Sequence, residues 1–194
     1  MNQVTKFFNE NNYVYLNNIL SKDITDFLTK YVTLRAQSGS MVQDTQCPKS
    51  LASYGDPAFD TLLADLCPTF SAIAGEPLLP TYTYHRLYKK GDVLEIHRDR
   101  PSCEISATVT IAVDNPDQIN ALYVNNAEPR DMCDGKAIQI KVGDGVLYKG
   151  NDLWHWRKPY ENDWFIQVFF HYVRANGPYK DLIFDGRPCL GVSK

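Results

Sequence analysis

His97-Arg98-Asp99 sets an imidazole and a carboxylate two residues apart. On an extended segment, residues i and i+2 project from one face, so this spacing presents two metal donors side by side. A second imidazole, His155, lies in the run Asp152-Leu153-Trp154-His155-Trp156-Arg157, where the flanking aromatics predict burial. Two His and one carboxylate cap a single triangular face of an octahedral ion and leave three positions open, a donor set suited to non-haem Fe(II) and the activation of oxygen. His97, Asp99 and His155 are therefore the expected metal ligands and the expected catalytic centre. A His-x-Asp triplet on its own is weak, since chance supplies many of them and the bland reading is a surface ion pair. The elements around it carry the weight.

Upstream, Tyr82, Tyr84, Arg86 and Tyr88 lead through Gly91-Asp92 into Val93-Leu94-Glu95-Ile96, so the triplet closes the second arm of a β-hairpin. Downstream, Gly143-Asp144-Gly145 opens the apolar strand Val146-Leu147-Tyr148, and Lys149 to Asp152 connect it to His155. From Pro80 onward, short β-branched and aromatic runs alternate with turn signals such as Asp134-Gly135. This composition predicts strands near 80–88, 93–99, 104–113, 121–125, 136–141, 145–148, 154–157 and 164–173. Before Pro80 the period changes. Ser21 can cap a helix whose Ile24, Phe27, Leu28 and Tyr31 fall on one stripe, predicted to face a core. Phe59, Leu62, Leu63 and Leu66 repeat that stripe, with Pro68 ending the second helix or starting another. Between the two helices, Gln37 to Tyr54 is polar and Gly/Ser-bearing, a stretch expected to serve as a lid or binding loop. Hydrophobic pattern alone thus gives a β-rich domain preceded by helices.

At 194 residues the chain suits one domain with a proper core. Its net charge of −3 offers no general attraction to phosphate backbones, which argues against a dedicated nucleic-acid-binding protein. The sequence shows no signal-peptide pattern and no apolar run of about 18 residues, so the expectation is a soluble, cytoplasmic protein without membrane partners. The cysteines Cys47, Cys67, Cys103, Cys133 and Cys189 form no Cys-x-x-Cys pair and are odd in number, which speaks against a disulfide framework or a thiolate zinc site. Cys103, close to the triplet, reads as a small buried filler.

The order Tyr88-x-x-Gly91-x-x-x-x-x-His97-x-Asp99, then Ala107-Thr108-Val109, then Gly143-Asp144-Gly145 and His155, resembles the Fe(II)/2-oxoglutarate-dependent dioxygenase superfamily, most closely its prolyl-hydroxylase-like branch. The likeness covers about residues 80 to 173 and extends more weakly to Phe8 through Leu20 and the helix that follows. It implies a mainly β fold with flanking helices (α+β): a double-stranded β-helix, or jelly-roll, core over about residues 80–175, packed against an N-terminal helical part over about 1–79 and followed by a C-terminal tail, all in a single domain spanning 1–194. Eight short strands suit that core. The resemblance further implies Fe(II) as cofactor, 2-oxoglutarate as cosubstrate and O2 as oxidant. Succinate and CO2 are the expected coproducts as a C–H bond of a prolyl, other amino-acid, peptide or small-molecule substrate is hydroxylated.

One feature departs from the family. Many relatives carry an Arg or Lys nine or ten residues after the second His to hold the distal carboxylate of 2-oxoglutarate, but Trp164 and Phe165 stand there. Arg157 is the local alternative. It shares the face of His155 and lies roughly 6 to 7 Å along the strand, and a guanidinium facing into a barrel calls for a carboxylate. Tyr88 and Thr108 match family positions that hydrogen-bond the cosubstrate, though both are equally good strand residues, and Gln167, an amide in an otherwise apolar strand, reads either as assisting them or as a satisfied core amide. His85 and His171 lack metal spacing and read as core or pocket residues; Trp154 and Trp156 read as packing around the site. Arg86, Lys89, Lys90, Arg98 and Arg100 concentrate positive charge near the triplet, either to draw an anionic substrate or as a solvated edge. Two other readings stand beside the oxygenase. One is a cupin-like metalloprotein, either an oxygenase without 2-oxoglutarate or a Zn or Mn isomerase; the other is a non-catalytic binding module on the same barrel.

Overall fold

Two antiparallel sheets face each other in the structure, a computed structural model that describes residues 3–117 and 121–192. In chain order the elements are α1 (Gln3–Asn11), β1 (Tyr13–Leu16), α2 (Lys22–Gln37), β2 (Val42–Gln43), β3 (Leu51–Tyr54), α3 (Pro57–Ala74), β4 (Leu78–Lys89), β5 (Leu94–His97), β6 (Ile105–Val113), β7 (Leu122–Asn125), β8 (Lys136–Ile138), β9 (Gly145–Tyr148), β10 (Trp154–Arg157) and β11 (Trp164–Arg174). The major sheet runs β1-β9-β6-β11-β4-β3-β2, and the minor sheet runs β5-β10-β7-β8. This is the jelly-roll core with helices on one side. Each of the eight strands expected from the sequence is present.

β11 shows how the layers are specified. Its side chains alternate, as a strand requires. Ile166, Val168, Phe170 and Tyr172 join the core beneath the helices, with Leu28, Val32, Phe59, Leu63 and Phe70. Phe165, Gln167, Phe169 and His171 point between the sheets, where Phe165 and Phe169 pack with Tyr88, Leu94 and Tyr160. Both faces are covered, which is why the strand reads as a nearly unbroken apolar run. β4 follows the same rule. Tyr82, Tyr84, Arg86 and Tyr88 are cross-strand partners of His171, Phe169, Gln167 and Phe165.

The helices differ from expectation in two ways. Ser21 does cap α2, accepting from the Ile24 amide, but the buried face is Thr25, Leu28 and Val32, while Ile24 and Phe27 are 38% and 59% exposed. The helix is rotated because Tyr31, with Arg35, reaches the α3 cap residue Asp56, and Phe27 stacks on Tyr31 rather than entering the core. In α3, Pro68 neither ends nor starts a helix: Pro57–Ala74 runs through it and stops at Gly75, whose φ of 83° is the left-handed cap that glycine adopts freely. The polar stretch Gln37 to Tyr54 is not wholly irregular. It supplies β2 and β3, the outer strands of the major sheet, and its intervening turn reaches the cavity described below. Among the described residues, no helix is long and apolar enough to cross a membrane.

Candidate active site

His97 and Asp99 leave the end of β5, and β10 pairs with β5 so that His155 lies directly opposite His97. The nitrogen and oxygen donors of His97, Asp99 and His155 all lie within 4.8 Å of one another. Asp99 Oδ1 is 3.5 Å from His97 Nε2 and 3.4 Å from His155 Nε2. Each imidazole is oriented by its own strand. His97 Nδ1 lies 2.8 Å from the Glu95 carbonyl oxygen, and His155 Nδ1 lies 3.0 Å from that of Leu153. A carbonyl oxygen only accepts, so both Nδ1 atoms carry hydrogen and both Nε2 atoms are directed at the gap beside Asp99. Burial opposes charge on Asp99, yet His155 and hydrogen bonds from both imidazoles hold its carboxyl well below the usual carboxylate range. Two imidazoles and a carboxylate with converging donors fit a borderline dication, which would take the place of hydrogen on both Nε2 atoms.

Close packing fixes the carboxylate loop. The Asp99 amide donates to the Gly150 carbonyl at 2.8 Å, and the Gly150 amide donates to Glu104 at 3.0 Å. No side chain fits at Gly150: a Cβ there would meet the Cys103 carbonyl oxygen and come within 2.6 Å of Asp99 Oδ2. Farther out, Arg100 pairs with Asp185 at 2.8 Å and lies over the Tyr82 ring, tying the loop to the segment Lys180–Gly186.

The three donors open onto a cavity of about 370 Å³. Tyr82, Tyr84, Phe169 and His171 form one wall, Tyr148 stands beside His155, and Asp44, Thr45 and Gln46 close the far side. Of the basic residues near the triplet, Arg86, Arg98 and Arg100 border this cavity; Lys89 and Lys90 do not. Arg86 is 3% exposed and committed to Asp44, at 2.6 Å, to Gln46 and to the Tyr88 hydroxyl. Arg98 lies over Trp154 at the rim. Burial pulls His171 down to about 4 and His85 to about 3, so both are neutral near pH 7. His171 borders the cavity, whereas His85 packs against Phe59 in the helix-side core. Cys103 is buried at the cavity edge, its sulfur 3.0 Å from the Tyr82 hydroxyl.

The four residues expected to hold a cosubstrate lie together one layer deeper, between the sheets. Arg157 is 1% exposed and projects from the minor sheet toward Phe165 on the major one, its guanidinium carbon 5.5 Å from the ring centroid. Tyr88 stacks on Phe165 as well, with ring centroids 4.3 Å apart. Gln167 Nε2 donates to Thr108 Oγ1 at 2.6 Å, and Thr110 donates to the Gln167 carbonyl oxygen. None of Arg157, Tyr88, Thr108 and Gln167 borders the open cavity. Burial lowers Arg157 from its ordinary value, and the nearby Arg86 cation adds to the effect. Residues that sequence reasoning passed over are Tyr148, Ser106, Asp44 and Gln46. A Ser or Tyr in an apolar strand carries no sequence signal, and Asp44 and Gln46 lie in the polar stretch whose path only the fold reveals.

No protein-family model matches the chain, and no curated protein matches it in sequence. Solved structures do match in shape. A prolyl-4-hydroxylase of Pseudomonas putida superposes with a TM-score of 0.69 at 14% identity, covering 88% of this chain and 97% of the other. The non-haem alpha-ketoglutarate-dependent carbocyclase SnoK from nogalamycin biosynthesis gives 0.72 at 13%, over 90% and 84%. HygX from Streptomyces hygroscopicus, solved with nickel and 2-oxoglutarate bound, gives 0.65 at 14%, over 91% and 88%. The chain shares their fold.

Proposed function

We propose that this chain is an Fe(II)- and 2-oxoglutarate-dependent oxygenase that hydroxylates a C–H bond of an amino-acid, peptidyl or other small substrate. The observation that carries the reading is the convergence of the His97 and His155 Nε2 atoms on Asp99 Oδ1 at the edge of a cavity. Similarity of fold to proteins named for 2-oxoglutarate chemistry, one of them solved with that cosubstrate and a metal, supports it.

In this reading His97, Asp99 and His155 hold the iron. When bound, Fe(II) with 2-oxoglutarate supplies the oxidation of an unactivated C–H bond by O2, with succinate and CO2 as coproducts. The protein supplies position and a dry pocket. Arg157 receives the distal carboxylate of the cosubstrate: it lies two residues from His155 on the same strand and packs against Phe165, one of the two positions where relatives carry their cation. Its charge thereby reaches the same region from the opposite sheet. A bound carboxylate would offset the cost of burying that guanidinium. Arg86, which pairs with Asp44 and borders the cavity, is the competing cation. Tyr88, Thr108 and Gln167 line the same deep layer and would hydrogen-bond the cosubstrate. A prolyl substrate is the first to test, because the prolyl-4-hydroxylase shares the fold over nearly its whole length.

The test is anaerobic titration of the metal-loaded protein with 2-oxoglutarate. A visible metal-to-ligand charge-transfer band is expected, and its absence would sink the proposal. Turnover assays that follow succinate then screen prolyl peptides and free amino acids.

A further inference from the structure

The two oxygens of Asp99 lead different lives. Oδ1 faces the two Nε2 atoms, whereas Oδ2 lies 3.1 Å from Ser106 Oγ. That hydroxyl is also 2.8 Å from His171 Nδ1 and 3.1 Å from the Cys103 carbonyl oxygen. Counting protons orders this cluster. Ser106 has one hydrogen, and both the carboxylate and the carbonyl can only accept. If His171 Nδ1 accepted as well, three acceptors would compete for a single proton. The cluster is satisfied when His171 Nδ1–H donates to Ser106 and Ser106 donates onward. A hydrogen bond to a charged acceptor is roughly twice as strong as a neutral one, so Asp99 takes the proton in preference to Cys103.

We propose that His171 and Ser106 form a positioning relay that holds Asp99 Oδ2 and so fixes which carboxylate oxygen is offered to the metal. The inference rests on the reading of His97, Asp99 and His155 as metal ligands. Its architecture is specific. His171 and Ser106 are direct cross-strand partners on β11 and β6, central strands of the major sheet, while His97 and His155 belong to the minor sheet. Asp99 therefore joins the sheets, gripped through Oδ2 by one and aligned through Oδ1 with the other. His171 itself is set by Tyr82, with ring centroids 4.5 Å apart, and by the parallel ring of Phe169. A carboxylate held in this way would offer a metal one oxygen and leave the remaining coordination positions open.

The experiment compares Ser106→Ala, Ser106→Thr, His171→Asn and His171→Leu with wild type, reading Co(II) affinity by chelator competition and the Co(II) d–d absorption spectrum. Outer-shell partners of metal ligands govern affinity by about 10- to 100-fold. Ser106→Ala and His171→Leu should weaken Co(II) by that factor and alter the spectrum as Asp99 swings to bind through both oxygens. Ser106→Thr and His171→Asn, which keep a hydroxyl and an N–H donor, should restore both. Unchanged affinity and spectrum in folded Ser106→Ala, with wild type binding normally, overturns the relay alone. A wild type that takes up no Co(II) overturns the ligand reading and the relay together. Nitrogen-15 NMR of wild type gives a further reading that needs no variant: His171 must carry its proton on Nδ1, and an Nε2–H tautomer overturns the relay.

Discussion

His97 and His155 are direct cross-strand partners whose ring centroids lie 4.2 Å apart, and each spends its Nδ1 hydrogen on the carbonyl two residues before it. The two imidazoles are thus set by one ladder and two identical local bonds. Asp99 comes from the loop beyond the ladder and completes the donor set. Asp99→Ala should therefore abolish tight metal binding, a larger loss than the about 10- to 100-fold expected of an outer-shell change. Chelator competition with Fe(II) or Co(II) measures it, and full occupancy in the variant would remove Asp99 from the ligand set.

Arg157→Ala should weaken 2-oxoglutarate by about 2 kcal/mol or more, roughly 30-fold, because one partner of a desolvated charge pair is lost. Metal affinity should change little. Titration of the charge-transfer band against cosubstrate concentration reads the first, and metal competition the second. If Arg86→Ala rather than Arg157→Ala shows this separation, the anchor is Arg86.

Gly150→Ala tests the packing behind Asp99. The added methyl would meet the Cys103 carbonyl oxygen and lie 2.6 Å from Asp99 Oδ2, and a backbone group cannot swing aside. The loop must move, so metal affinity should fall about tenfold or more while thermal stability drops by the about 1–3 kcal/mol typical of overpacking. Tight metal binding in a stable Gly150→Ala variant would show that the loop tolerates displacement.

Asp44 and Arg86 form a buried ion pair, 6% and 3% exposed, and Asp44 also accepts from the Tyr84 hydroxyl at 2.6 Å. Asp44→Ala leaves the guanidinium without its carboxylate, so stability should fall by about 3–5 kcal/mol, as for other broken buried pairs. Urea unfolding of the metal-free protein measures this. Replacing Arg86 and Asp44 together by apolar residues should recover part of the loss.

His85 is fully buried and its proton affinity is lowered to about 3 from 6.5, chiefly by burial and further by Arg35. Below pH 6.5 the unfolded chain takes up a proton there and the folded chain does not. Stability therefore falls as pH drops from 6.5 toward 3, by up to about 1.4 kcal/mol per unit, and is unaffected by this group at higher pH. His85→Phe should flatten that limb. Urea midpoints of wild type and variant at pH 7.5 and 5 should diverge, and parallel curves would contradict the assignment.

The convergence of His97, Asp99 and His155 was legible in the sequence because strand geometry converts the spacing of His97 and Asp99 into a shared face, and aromatic neighbours mark His155 as buried. The eight core strands were legible for the same reason of period. β2 and β3 were not: they are short strands at one edge of the sheet in a polar stretch, β3 held by pairing with β4 and β2 by pairing with β3 rather than by their own pattern. The face of α2 was misread because Ile24 and Phe27 outrank Thr25 in apolarity, yet Thr25 is the residue turned inward, where its hydroxyl donates to the Lys22 carbonyl. Ser106 was invisible, since a small hydroxyl in an apolar strand signals nothing until His171 and Asp99 are brought to it.

β11 enters the major sheet between β4 and β6, strands that precede it by many residues. A chain made from its N-terminus thus presents two unpaired strand edges until β11 has emerged, and such edges invite association with other chains. His171 arrives with that same strand. The sheet closes and the grip on Asp99 forms in one event of high sequence separation, which is slow by nature. On the proposed ligand set, metal acquisition would follow this closure, because iron arriving earlier would meet His97 and Asp99 before either His155 or the grip on the carboxylate exists.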